Sequence, residues 1–285
     1  LTTRINLITF RFSIMRIITL IFLLILLYSF RCSAQKSGQT DFEIGLSGGT
    51  SWYNGDLNPY AHFNQNYWHE SFGISLRRNI NQRFAFRGQF TVGEISADDA
   101  LSSSKFQSNR NLNFSSPLYE LASTLEFNFL KFDALINSYR FSPYSFIGIA
   151  GFYFNPSTSI EGSIYELQPL TTEGVSYSRF GVSIPFGFGF KLALNDRLII
   201  SADWGLRKTF SDYLDDISGV YPAASEIDGL SQDISDRSLV QSSPDGTNWG
   251  TQRGNSVTKD WYTYAMLTLA VRLGPKKGSC KHLRI

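Results

Sequence analysis

The sequence predicts an all-β protein, namely an eight-stranded antiparallel transmembrane β-barrel preceded by a cleavable signal peptide. Three observations support this fold class: one unusually long alternating segment, seven further segments of the same kind, and connections that alternate between short and long. No linker or internal repeat divides the 285 residues. We therefore expect one barrel domain over residues 35–274.

Residues 177–194 carry the clearest pattern. Every second residue from Phe180 to Leu194 is apolar, and the alternate positions from Arg179 to Ala193 hold glycine, small residues, a proline and two cations. A period of two is typical of a β-strand, and this one exceeds the usual length of about five or six residues. An aromatic face opposite a face of small and charged residues indicates lipid on one side and a narrow lumen on the other.

Seven other segments alternate in the same way, and in chain order they span 41–53, 68–79, 83–95, 117–130, 142–155, 197–211 and 259–273. The 142–155 segment is apolar on both faces, so its register is not determined by pattern. A soluble β-sandwich or lipocalin-like barrel would also alternate. Its polar face should then be rich in Lys and Glu, whereas here that face is mostly Gly, Ser, Thr and Ala.

The connections alternate in length. Residues 79–82 and 194–197 form tight turns and 131–141 is a moderate link, whereas four long polar loops span 54–67, 96–116, 156–176 and 212–258. In outer-membrane barrels the short turns are periplasmic and the long loops extracellular, and an even strand count places both termini in the periplasm. Pro185 cannot donate to a ladder, so we expect a bulge or a local break in pairing there.

The N-terminal region predicts export. Met15-Arg16 precedes an apolar stretch from Ile17 to Phe30, and small residues lead to Ala34. This is the pattern of a signal peptide over residues 15–34, cleaved after Ala34. Lipidation at Cys32 is an alternative that the preceding Arg31 disfavours, and an N-terminal membrane anchor is another that the shortness of the apolar run disfavours.

Alternation directs four carboxylates and six cations into the predicted lumen. Charges removed from water must be paired, so we expect a network across the lumen that closes the barrel to solutes. A proton or ion pathway is the alternative function for the same residues. The set comprises Glu43, Arg77, Arg87, Glu120, Glu126, Arg179, Lys191, Asp203, Arg207 and Arg272.

Other function classes have little support. The net charge of +2 does not favour a nucleic-acid partner, and no motif indicates a cofactor or metal. The histidines His62, His69 and His282 have no metalloprotease spacing, although a serine paired with His69 remains a minor catalytic alternative. The acidic segment 212–216 could bind calcium but lacks an alternating ligand loop, so we expect a solvated or hydrogen-bonded loop base. We therefore predict no enzyme activity.

Several short motifs occur in order along the chain, and together they resemble a known family. They include Glu43 to Gly49, Tyr53-Asn54-Gly55-Asp56, Leu125 to Phe129, Pro143-Tyr144, Gly148 to Gly151, Ile184 to Gly187, Arg207 to Phe210, Asp212-Tyr213-Leu214-Asp215-Asp216, Arg253-Gly254-Asn255 and Lys259-Asp260-Trp261-Tyr262. This order is similar to that of the Bacteroidetes outer-membrane β-barrel family that includes the PorG component of the type IX secretion system.

The resemblance implies a structural role in type IX protein secretion, with the barrel anchoring a periplasmic ring complex to the outer membrane. The implied partners are outer-membrane lipid and the ring subunits. The basic tail 275–285 would extend into the periplasm, where Cys280 could contact a partner, although a disordered tail at the membrane surface fits equally well. A binding or adhesion barrel that uses the 212–258 loop and a small-solute channel are the alternative functions.

Overall fold

The computed structural model describes residues 41–59, 67–241 and 247–274. The predicted signal peptide, His62, and the tail with Cys280 and His282 lie outside the described residues. Within the described ranges, no helix has the length and apolarity required to cross a membrane.

Eight long strands form a closed antiparallel barrel, which confirms the predicted fold class. Each strand pairs with the next along the chain, and pairing between the first and last strands completes the ring. The barrel strands are β1 Asp41–Asn54, β2 His69–Asn79, β3 Phe84–Asp98, β4 Asn113–Asn128, β5 Phe141–Phe154, β8 Phe180–Ala193, β9 Leu198–Thr209 and β10 Trp261–Leu273. β4 begins at Asn113 rather than at residue 117, because its pairing with β3 continues to Asp98.

The long connections contain structure that alternation did not predict. A hairpin of β6 Ser157–Ile160 and β7 Ser163–Glu166 extends from β5, and β6 pairs with β4 through Ser157 and Ser115. Two short helices, α1 Lys105–Arg110 and α2 Gly229–Ser235, lie in the second and fourth long loops. We call the end of the barrel with these loops the loop end, and the other the turn end.

The outer surface of the barrel is apolar. Leu46, Phe72, Leu121 and Phe188 are among its exposed residues, whereas Ser183 and its inward-facing equivalents are buried. So large an exposed apolar surface would be unfavourable in water but suits contact with lipid. The register of β5, which pattern alone could not give, places Ile147 and Ile149 outward and Tyr144 inward.

Aromatic side chains concentrate at both ends of this surface. At the loop end, Tyr153 packs against Tyr119 and Phe180 with ring centroids 6.1 and 5.0 Å apart. At the turn end, Phe127 packs against Phe84 and Phe129 at 5.3 and 5.4 Å. Rings of this kind mark the two water–lipid boundaries of outer-membrane barrels.

The ladder between β5 and β8 is interrupted at Pro185. Pairing runs from Phe141–Leu192 to Ile147–Phe186 and resumes from Ala150–Ser183 in the same register. On the other side, Pro185 pairs with Arg207 without interruption. The prediction of a local break is therefore confirmed, and because the register does not change, no residue is bulged out.

We predict that Gly148→Ala will destabilise the barrel by about 1–3 kcal/mol, the usual cost of overpacking. A Cβ at this position would lie 2.0 Å from the carbonyl oxygen of Ser123 on β4, so the strands would have to separate. Gly151→Ala is the matched control on the same strand, because a Cβ there meets nothing within 4 Å. Urea unfolding of the purified barrel in detergent measures both. Equal stabilities of the two variants would contradict the prediction.

Candidate functional site: a filled lumen and a loop cap

Glu126 on β4 is the centre of the ion pairs inside the turn-end half of the barrel. Its Oε2 lies 2.7 Å from Lys191 Nζ and 3.0 Å from Arg77 Nε, and its Oε1 lies 3.2 Å from Arg87 Nε. All four side chains are at most 3% exposed. The carboxylate of Glu126 thus compensates part of the charge of three buried cations, whereas a simple ion pair compensates only one.

The remaining contacts of these cations extend the network across the lumen. Arg77 Nη1 lies 2.8 Å from Glu43 Oε2, and Arg87 Nη1 lies 2.8 Å from Asp203 Oδ2. We call the six residues Glu43, Arg77, Arg87, Glu126, Lys191 and Asp203 the lower lumen cluster. It joins side chains from six strands, so it fills the section of the lumen that they surround.

A second ion pair lies nearer the loop end. Arg207 Nε is 3.2 Å from Glu120 Oε2, the Tyr262 hydroxyl donates to the same oxygen at 2.7 Å, and the Arg207 guanidinium lies 4.7 Å from the Tyr264 ring centroid. With this pair, four carboxylates face four cations in the lumen. The formal charges of these eight side chains cancel, and Arg272 adds one further buried cation at the turn end, so the interior is filled by side chains rather than open to bulk water.

One predicted lumen residue lies elsewhere. Arg179 precedes β8 and is partly exposed, and its Nη2 pairs with Glu166 Oε2 at 2.9 Å on the β6–β7 hairpin. The prediction was wrong there because β8 begins only at Phe180 and the hairpin supplies a nearer carboxylate. Arg272 faces the lumen as predicted: it is buried opposite Glu43 at the turn end, where its Nη1 lies 3.5 Å from the carbonyl oxygen of Asp196.

Two residues outside the predicted lumen set also contact the lower lumen cluster. Tyr144 donates to Asp203 Oδ2 at 2.9 Å, and its ring centroid lies 4.5 Å from Lys191 Nζ. Asn79 donates to Glu43 Oε1. Tyr144 was not predicted because β5 is apolar on both faces, so alternation does not show which residues face the lumen. The hydroxyl group on its otherwise apolar ring was the only feature that indicated a polar partner.

The loop end is covered by a loop cap, formed by the described parts of residues 55–68, 99–112, 155–179 and 210–260. Loop residues Leu57, Leu214, Ile217 and Ile234 are buried against aromatic residues such as Tyr53 at the mouth of the barrel. This apolar layer separates the lumen ion pairs from the polar cap above. The cap is therefore a packed part of the fold rather than a set of free loops.

Three carboxylates from the motifs that carry the family resemblance lie together in the cap. The Tyr53 hydroxyl oxygen lies 2.6 Å from Asp215 Oδ2 and 2.8 Å from Asp260 Oδ1. Asp56 accepts the backbone N–H of Asn255 at 2.7 Å. At Gly55 a Cβ would lie 2.0 Å from the Tyr53 hydroxyl, so only glycine leaves room for this arrangement. We call Asp56, Asp215 and Asp260 the cap carboxylates.

The cap carboxylates favour protonation. Burial raises the pKa of Asp56 to about 6, although Arg110 and the hydrogen bond from Asn255 act in the opposite direction. Burial, and then repulsion by Asp260 and Asp56, raises the pKa of Asp215 well above its usual value, and burial likewise raises the pKa of Asp260. A single tyrosine hydrogen cannot satisfy both neighbouring carboxylates, so the arrangement favours a shared proton.

Two buried arginines tie the loops of the cap together. Arg110 makes two contacts with Asp99, at 2.7 and 2.9 Å, and donates to the carbonyl oxygens of Asp56 and Arg253. Arg253 donates to Glu173 Oε1 at 2.8 Å and to the carbonyl oxygen of Asp216 at 2.7 Å. Between them they connect all four long loops, so the cap is one cross-linked unit.

The other motif residues also have defined partners. Asp212 accepts from the Ser218 hydroxyl at 2.6 Å, and Asp216 accepts from Thr172 and Tyr177. Tyr213 stacks on Tyr177 with ring centroids 4.8 Å apart. Trp261 lies on the outer surface and Tyr262 in the lumen. The 212–216 segment is thus a hydrogen-bonded loop base, as predicted, and no group of three potential ligands in the described ranges could hold a metal ion.

His69 has a simple environment. Its Nε2 lies 2.6 Å from Ser96 Oγ, so the structure does bring a serine and a histidine together. In the part of the chain that the structure describes, no carboxylate bonds to the other ring nitrogen. The pair therefore lacks the orienting acid of a hydrolase triad.

Comparison with known proteins identifies a family and several similar folds. The model of a family described as a domain of unknown function, DUF6089, matches residues 16–234. Ail, the attachment invasion locus protein of Yersinia pestis, is 13% identical, with 83% of this chain and 100% of that chain covered and a TM-score of 0.41. No curated protein matches the sequence significantly.

Two further solved structures are similar at comparable levels. Neisserial surface protein A is 10% identical, with 82% of this chain and 99% of that chain covered and a TM-score of 0.40. The outer membrane protein OprG from Pseudomonas aeruginosa is 9% identical, with 83% and 97% covered and a TM-score of 0.41.

We predict that Glu126→Gln will destabilise the barrel by about 3–5 kcal/mol, because it leaves buried cations without compensation. Glu166→Gln removes the exposed partner of Arg179 and should cost only about 0–1 kcal/mol. The free energy of unfolding in detergent measures both changes. A loss for Glu126→Gln no larger than that for Glu166→Gln would contradict the role of the lower lumen cluster.

We predict that the loop cap becomes less stable as pH rises from about 4 to about 7. The folded pKa of Asp56, about 6, lies above its unfolded value, so the folded cap binds an extra proton at low pH and loses it across this window. The raised pKa values of Asp215 and Asp260 act in the same direction. Each such proton changes the free energy of cap opening by up to about 1.4 kcal/mol per pH unit. Amide hydrogen exchange of residues 212–217, corrected for intrinsic rates, measures cap opening.

Asp215→Asn should flatten this pH dependence, because the uncharged amide no longer repels Asp260. Asp233→Asn changes an exposed carboxylate of the same loop and serves as the matched control. If the two variants retain the same slope as the unmodified chain, the cap carboxylates do not control opening.

Proposed function

We propose that this chain, which belongs to the DUF6089 family, is a non-conducting structural barrel of the outer membrane that serves type IX protein secretion. The filled lumen carries this proposal, because a pathway for solutes would have to break the contacts of Glu126 and Glu120. The type IX role is supported by the sequence resemblance, whose motif residues supply the cap carboxylates and their immediate neighbours.

In this proposal the barrel anchors a periplasmic ring complex to the membrane. The turn end faces the periplasm and the loop cap faces the exterior, as is usual for barrels with one set of long loops. The basic tail 275–285 is the proposed contact with the ring, since Lys276, Lys277, Lys281 and Arg284 give the sequence after the last strand a positive charge. Cys280 lies among them and offers a position for cross-linking.

Deleting the gene tests the secretion role. We expect proteins exported by the type IX pathway to accumulate in the periplasm, and the intact chain to restore export. A variant with the four tail cations changed to Gln should insert normally but recover fewer ring subunits by cross-linking from Cys280. Normal export without the gene, together with no recovered ring subunit, would contradict the proposal.

The channel alternative is tested separately in planar bilayers. The purified barrel should show no steady conductance, because the lower lumen cluster and the Glu120–Arg207 pair fill successive sections of the lumen. A stable conductance that changes on substitution of Glu126 would support a channel instead.

Surface binding is a second candidate, and one observation favours it. The cross-linked cap presents apolar side chains to solvent, with Leu239 70% and Val240 68% exposed. Asn109 holds this segment through hydrogen bonds to the backbone of Val240 at 2.9 and 3.0 Å. A double Leu239→Ser and Val240→Ser variant should reduce cell adherence without affecting export if this surface binds a ligand.

A further inference from the structure

We propose that the outer surface around Lys208, Lys259 and Trp261 binds the phosphate group of a membrane lipid at the loop end of the barrel. The proposal rests on the outer-membrane placement given above but not on the secretion role. Lys208 lies on β9 directly opposite Trp261 on β10, and its Nζ is 5.8 Å from the Trp261 ring centroid. Lys259 precedes Trp261 by two residues.

The position of Lys208 indicates the depth of the site. Lys208 is exposed on the lipid side of β9, one residue before the strand ends at Thr209. A lysine on the lipid face costs about 2–4 kcal/mol at the bilayer midplane but about 0–1 kcal/mol near the interface. Its location at the aromatic boundary therefore places the ammonium group among lipid headgroups, where the aliphatic stem covers apolar surface.

The charges of this surface complement an anion. Among the described residues, Lys208 has no carboxylate partner. Lys259 Nζ donates to the Ser256 carbonyl oxygen at 3.2 Å and lies 3.5 Å from Asp212 Oδ2, which leaves part of its donor capacity free. By contrast, the outward rim of β2 and β3 carries the carboxylates Glu70 and Glu94. The positive charge is thus localised on the β9–β10 side of the barrel.

Two grooves beside Lys259 suit the acyl chains of such a lipid. One has a volume of about 510 Å³; its apolar lining includes Pro59, Leu206 and Trp261, and Asp56 and Lys259 are its charged residues. The other, of about 520 Å³, has an apolar lining that includes Phe180, Val182 and Phe210, and Asp212 and Lys259 are its charged residues. A phosphate at the lysines with apolar chains in the flanking grooves would satisfy both the charge and the apolar surface.

Lipid binding to the purified barrel in detergent tests the proposal, with native mass spectrometry as the measurement and lipid A as the probe. Replacing both lysines with Gln (Lys208→Gln and Lys259→Gln) should weaken binding about thirtyfold, since each lysine near a charged surface contributes about fivefold. The double Lys105→Gln and Lys131→Gln variant removes two lysines from other exposed positions and should bind as the unmodified chain does.

Dephosphorylated lipid A should bind the unmodified chain about as weakly as lipid A binds the double lysine variant. Equal binding of the two lipids, or no effect of the Lys208 and Lys259 changes, would overturn the proposal. If inorganic phosphate displaces lipid A at an equal concentration, the site recognises a free anion rather than a lipid, which would also overturn it. Because lipid binding does not depend on the secretion role, a negative result in this test is distinguishable from a failure of the proposed function.

Discussion

The structure depends on the pairing of charges inside a space too narrow to hydrate them. Glu126 is the clearest case, because its two oxygens contact three buried cations that come from three different strands. Each of those cations would be costly without a partner, and two of them extend the network to Glu43 and Asp203. The same contacts that hold the strands together also fill the lumen, so stability and closure have one physical origin.

The loop cap accommodates its buried charges in a different way. Arg110 and Arg253 satisfy backbone carbonyls from several loops, whereas the cap carboxylates lie close to one another with a tyrosine between them. In the lumen, opposite charges balance. In the cap, like charges are accommodated by protons, so the outer end of the barrel is the part whose stability responds to its surroundings.

Much of the barrel was predictable because strand alternation is a strong local signal. The Phe/Gly pattern of β8 gave both the strand and its lipid-facing side, and even the break at Pro185 followed from the missing donor. The predictions failed where the local sequence pattern carries no information. β5 is apolar on both faces, so Tyr144 was missed, and Arg179 was assigned to a strand that begins one residue later. The cap is built from contacts between residues far apart in sequence, such as Tyr53 with Asp215 and Asp260, which no periodicity predicts.

The β6–β7 hairpin has a practical consequence. Its turn is formed by Glu161 and Gly162, both with positive φ, and a side chain at Gly162 would meet nothing within 4 Å. Chain insertions are best tolerated at such exposed tips. A short epitope placed between these two residues would therefore leave the barrel and the cap intact, and its accessibility to antibody on whole cells would report which way the protein faces in its native membrane.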